Sequence, residues 1–180
     1  MQKQDLINQL ENYQPFDEYE KNFKIEIINF IKNNNNCFER SCEKGHITAS
    51  SWILNKDGTK VLLTHHKKLN MWFQLGGHCD GNPNALEVSL KEAKEESGIN
   101  EIFPLKNEIF DIDIHLIPES KKEKAHYHYD IRYLLYAENE NIKINHESKE
   151  LRWVSKDKNN LPEVNSSVLR MFEKWKYNKC

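Results

Sequence analysis

Three glutamates, Glu92, Glu95 and Glu96, stand at i, i+3 and i+4, the spacing that puts side chains on one helix face. Like charges so placed repel by roughly a few tenths of a kcal/mol per pair. A helix that carries them either leaves them in solvent, with Lys91 and Lys94 as partners, or gives them a cation. Hard ions such as Mg2+ or Mn2+ take oxygen ligands and keep waters that serve as nucleophiles. A second constellation offers nitrogen. His126 and His128, two apart in an alternating stretch, point the same way on a strand and present either a pair of metal ligands or a solvated edge. His46 opens an apolar segment, and His78 directly follows Gly76-Gly77.

The elements that must position these groups are legible. The stretch Leu75 to Ile99 runs from a glycine-rich loop into a helix, with Asn82 as N-cap, Pro83 at the first position and Gly98 as stop. That helix spans about 15 residues, with Leu86, Leu90 and Ala93 as its buried stripe. Before it, Gln4 to Asn33 is polar and helical in period, with Phe23, Ile27 and Ile31 as its apolar stripe. His46–Asn55, Asp57-Gly58 and Lys60–His65 make a hairpin, and Trp72–Leu75 is a short strand leading into the loop. Ile109–Ile117 alternates, with Phe110, Ile112, Ile114 and Leu116 opposite Asp111, Asp113 and His115. After a charged loop, Glu119 to Lys124, a second alternating strand sets His126, His128, Asp130 and Arg132 against Tyr127, Tyr129, Ile131 and Tyr133. Glu150–Val154 is a last strand, and Ser166–Tyr177 is an amphipathic closing helix. Strands around a central helix predict an α/β fold with a mixed sheet between helical layers.

With 180 residues the chain fits one domain with a terminal extension. A net charge of -2 argues against long nucleic acid as the partner. Cys37, Cys42, Cys79 and Cys180 form neither a zinc-type pair nor a dense disulfide framework, and Cys37 and Cys42 read as packed thiols. No signal peptide or long apolar run is present, so a cytoplasmic setting without membrane contact is expected. Whether the chain is a monomer or a homodimer is left open.

From Gly77 to Ile99 the chain resembles the Nudix box. Gly77 stands at the box's own distance from Lys91-Glu92-Ala93-Lys94-Glu95-Glu96-Ser97-Gly98-Ile99, which matches its REUxEExGU half. Two positions depart, with Pro83 in place of a glutamate and Lys91 in place of an arginine. Lysine lacks the bidentate fork, and Glu87, one turn before Lys91, is in the favourable order to supply a substitute pair. The resemblance implies a Nudix-type α/β/α sandwich over residues 45–180, residues 1–44 being an N-terminal helical extension. It also implies Mg2+ or Mn2+ on Glu92, Glu95 and Glu96. Two further segments, GHITASSWILN and LGGHCDGN, are similar to parts of isopentenyl-diphosphate isomerase, a branch of the same superfamily. That similarity sets His46 and His78 on metal-binding histidines and His126 and His128 on two metal-binding glutamates. It implies a histidine-rich site suited to zinc, manganese or iron. The isomerase's cysteine position is Gly76 here.

The expected function is a metal-dependent pyrophosphohydrolase acting on a small-molecule diphosphate, such as a nucleoside diphosphate linked to another moiety. Glu92 acts as ligand or base, and Glu147 or Glu150 are alternative bases. Gly76 and Gly77 let a ligand approach; Arg132, Lys67 or Lys68 meet phosphate; Trp72 stacks a base or packs at the rim. An isomerase acting on a lipid diphosphate and a non-catalytic nucleotide-binding domain are the alternatives.

Overall fold

A computed structural model describes residues 3–120, 123–144 and 148–177; Lys121, Lys122, His146, Glu147 and Cys180 lie outside that range. In chain order the elements are α1 (Lys3–Asn12), α2 (Glu18–Asn33), β1 (Gly45–Asn55), β2 (Lys60–His66), β3 (Trp72–Phe73), β4 (Leu75–His78), α3 (Ala85–Ser97), β5 (Ile102–Ile117), β6 (His126–Ala137), β7 (Ser148–Ser155) and α4 (Ser166–Tyr177). The helical N-terminal stretch breaks around Pro15, because proline restricts the residue before it. The second helix restarts behind Asp17, whose carboxylate accepts from the Glu20 N–H at 2.8 Å.

The strands form one mixed sheet. β1 lies parallel to β6, with β5 antiparallel beyond it, and the other edge of β1 pairs with β4 and then with β2. β2 in turn carries β3 and β7. Because side chains alternate across a strand, β1 sends Ile47, Ala49 and Ile53 into the core beneath α1, α2 and α3. Trp52 and Leu54 enter a second core under α4 with Met171, Phe172 and Trp175. The α/β/α layering expected from the sequence is the observed one. Among the described residues no helix is long and apolar enough to cross a membrane.

Two local expectations need correction. The helix of the glycine-rich unit starts at Ala85 and is capped by Asn84, whose side chain accepts from the Glu87 N–H at 3.2 Å. Asn82 is spent instead on a turn, accepting from the Asn84 N–H at 2.9 Å, and Pro83 sits inside that turn. Gly98 does end the helix, in the left-handed conformation at φ 72°. The first alternating strand begins earlier, at Ile102, and slips register between Ile109 and Asp111. The extra residue of that bulge is Phe110. It therefore joins the α4 core, while Ile112 and Ile114 pack on the opposite face.

Candidate functional site

Register collects the polar side chains on one sheet face. His46 stands opposite His128, Thr48 opposite Asp130 and His78, and Ser50 opposite Arg132. β5 adds Asp111 opposite Arg132, Asp113 opposite Asp130 and His115 opposite His128. Side chains directly opposite one another in neighbouring strands share a face. This face therefore runs from apolar residues under α4, through a charged zone, to histidines at the far end.

The charged zone is closed. Arg132 is 2% exposed and donates to Asp130 at 2.8 Å, Asp111 at 2.9 Å and the Ser167 hydroxyl at 2.7 Å. From α4, Arg170 and Lys174 each donate to Asp111 at 2.9 Å, and Lys174 also contacts Glu20 of α2. Arg132 is thus a structural ion-pair partner, and the expectation that it meets phosphate is overturned because its donors are buried and engaged. Burial alone would raise the Asp113 carboxyl. Arg132, the hydrogen bond from His115 and Arg170 outweigh it and hold that group down to about 2. The sequence reading missed this zone, although the Asp111/Asp113 and Asp130/Arg132 alternations were its visible signal. It also missed Thr48 and Ser50, which donate to Asp130 at 2.9 and 2.7 Å.

The carboxylates of α3 sit across β4 from the polar face. The Gly76 N–H donates to Glu96 Oε2 at 3.0 Å. A Cβ on Gly77 would stand 2.6 Å from Glu92 Oε2, and one on Gly76 would stand 2.2 Å from the Ser50 Cβ. The two glycines therefore make room for protein groups, Glu92 and strand β1, where the sequence suggested room for a ligand. Glu92 is 18% exposed at its side chain and Glu95 59%. So the inner pair, Glu92 and Glu96, is set against β4 while Glu95 reaches outward. Lys91 bridges Glu92 at 3.3 Å and Glu95 at 3.4 Å. Its ion-pair partners are these two, and no ion pair to Glu87 is formed among the described residues. An oxygen-only donor set of this kind, already attracting an ammonium, fits a hard divalent ion, which takes one or two carboxylates and completes its shell with water and substrate oxygens.

At the far end of the polar face, His46, His78 and His128 each offer a ligand nitrogen, all within 4.8 Å of one another. Burial pushes His46 down to about 4 and His128 down to about 2, with neighbouring imidazoles adding to both, and burial and Arg40 lower His78. Burial thus favours the neutral imidazole in all three, with a lone pair available on each. His126 stands beside them, its Nδ1 2.8 Å from the Lys124 carbonyl. The three described cysteines are buried and free, and burial pushes the Cys79 thiol up. Gly76 leaves no space for the isomerase's cysteine.

The remaining candidates lie elsewhere. Trp72 is 7% exposed, with His65 stacked on it at 5.0 Å and the Arg152 guanidinium 4.6 Å from its ring centroid, so it packs at the rim and does not receive a base. Glu150 is paired with Arg152 at 2.7 Å. Lys67 and Lys68 are exposed in the turn after β2.

The model of the NUDIX domain family matches residues 44–175. A protein of Lactococcus lactis described as a probable DHNTP pyrophosphohydrolase is 27% identical over 145 residues, 78% of this chain and 83% of that one. A NUDIX-family hydrolase structure from Clostridium perfringens is 28% identical with a TM-score of 0.53, covering 72% of this chain and 95% of its own. An Ap4A hydrolase binary complex from C. elegans shares the fold at 17% identity and a TM-score of 0.56, over 72% of this chain and 93% of its own.

Proposed function

Because the chain belongs to the Nudix family, we propose that it hydrolyses the diphosphate bond of a nucleoside diphosphate linked to another moiety, with Mg2+ or Mn2+ on Glu92, Glu95 and Glu96. The observation that carries this reading is the seating of the inner carboxylates on β4: Gly76 donates to Glu96, and Gly77 clears space for Glu92. When bound, such an ion supplies Lewis acidity toward a phosphoryl oxygen and lowers the pKa of a water.

The chain's own residues do the rest. Glu96 is oriented by a backbone N–H, so its carboxylate does not have to be ordered at the moment of reaction. Glu92, largely shielded but not sealed, serves as a ligand or takes the proton of the attacking water. Glu95 reaches outward to complete the donor set, and Lys91 balances the two carboxylates it bridges. The same reading takes residues 1–44 as a helical extension of a Nudix domain over 45–180 in a cytoplasmic enzyme.

The test is hydrolysis of nucleoside diphosphates, dinucleotides, sugar nucleotides, isoprenoid diphosphates and the DHNTP for which the Lactococcus relative is named, with Mg2+ or Mn2+, read by chromatography of the products, since a linked diphosphate yields two monophosphates and no free phosphate. Glu96→Gln keeps the shape and removes the charge. A loss of at least about 100-fold, or about 2.7 kcal/mol of transition-state stabilisation, is expected for the preferred substrate. An unchanged rate would remove Glu96 from the site.

A further inference from the structure

One end of the polar sheet face carries five described histidines from four strands, the outermost being His115 of β5, with no carboxylate in the compact set of three at its centre. His46 lies within 5.0 Å, ring centroid to ring centroid, of each of His78, His126 and His128. It is 3% exposed, and neither of its ring nitrogens has a hydrogen-bond partner. A neutral imidazole carries one donor and one acceptor, and burying both without partners is costly unless something else binds them.

We infer that His46, His78, His126 and His128 hold one zinc-class ion, at a site separate from the carboxylates of α3. His46, His78 and His128 bring their nitrogens within 4.8 Å of one another, and His126 stands beside that compact set, hydrogen-bonded to His128. Two nitrogens at zinc's bond length of about 2.0–2.1 Å lie about 3.3 Å apart on a tetrahedron's edge. His126 Nε2 and His128 Nε2 are 3.3 Å apart. Only Nδ1 of His126 can donate to the Lys124 carbonyl, so that bond fixes the tautomer and leaves Nε2 as the lone pair facing the cluster. Imidazole donors select zinc and its transition-metal neighbours over magnesium. The adjoining cleft of about 310 Å³, lined by Arg40, Cys42, Glu43, Glu123 and Lys124, opens on His46 and His126 and gives an ion its way in.

With His126 turning in from its hydrogen bond to His128 as the fourth ligand, protein nitrogens fill the coordination shell, which is the pattern of a structural centre and not a hydrolytic one. Its position gives it a task. His78 ends β4, the strand that is paired to β1 at Thr48 through Ser51. The residue before it, Gly77, is the one whose missing Cβ admits Glu92. The ion ties β4 to β1 and β6, and so fixes the strand that seats Glu92 and Glu96.

This inference stands whether or not the hydrolase reading does. The full chain, stripped with chelator, is titrated with Co2+, reading visible absorption, metal content by mass spectrometry and far-UV circular dichroism. One equivalent with intense tetrahedral bands is expected, unaffected by excess Mg2+ and retained in Glu92→Gln and Glu96→Gln. His46→Gln and the half-buried His78→Gln each weaken binding by about 100-fold or more while keeping the wild-type dichroism. Failure of folded wild type to take up Co2+ overturns the site. So do weak octahedral bands that vanish with Glu96→Gln, or binding untouched by both histidine variants. If His46→Gln loses its dichroism, the His78→Gln result decides alone.

Discussion

The polar face of the sheet has two ends that were built from the same alternation and reached opposite outcomes. Around Asp111 every buried charge has a partner: Arg132, Arg170 and Lys174 converge on one carboxylate that is 0% exposed. Around His46, only a few residues along the same strands, buried nitrogens have none. Burial of polar groups is therefore not in itself a mark of function. The two ends differ in whether the protein completes its own hydrogen bonds.

That contrast can be tested by removing one member at each end. Asp111→Ala leaves three cations facing one another in the interior and is expected to cost about 3–5 kcal/mol, read from urea unfolding. A cost below about 1 kcal/mol would mean that the zone is wet and the contrast false. At the histidine end the sign depends on the ligand. Zn2+ at a hundredfold excess over its Kd is expected to stabilise wild type by about 2.7 kcal/mol, while His46→Phe, which has no nitrogen to satisfy, melts identically with and without metal. Equal zinc stabilisation in both proteins would break the comparison.

Acid sharpens it further. Asp113 is depressed in the folded state to about 2 from an ordinary 3.8, so its contribution is present above about pH 4 and is lost as pH falls toward 2. On the order of 2 kcal/mol of stability goes with it, and Asp113→Asn flattens that part of the unfolding profile. The smallest effect belongs to Arg40, whose bidentate pair with Asp80 at 2.6 and 2.9 Å is half exposed. Arg40→Ala is expected to change stability by less than about 1 kcal/mol. A larger loss would show that exposed pairs on this rim behave like the buried zone.

Arg132 shows where a sequence reading fails. Alternation places it correctly on a face with His126, His128 and Asp130, but says nothing of what covers that face. α4 does, and its Arg170 lies 59 residues along the chain from the Asp111 it contacts. Gly76 and Gly77 were legible as sites of close approach. Whether ligand or protein approaches them was not, because Ser50 reaches Gly76 only through strand pairing. The helix start was misread by two residues because Asn82 and Asn84 flank a proline and either could cap.

Local spacing sets most of the elements, the glycine-to-glutamate distance of the loop and helix, the shared strand face of His126 and His128, and the family resemblance. These are local properties, set by backbone periods of two and 3.6 residues. Which polar groups are satisfied depends instead on long-range packing. Contacts such as Lys174 to Glu20, 154 residues apart, depend on how the layers close. Hydrogen-bond partners are chosen by that closure, and so is the absence of any partner at His46.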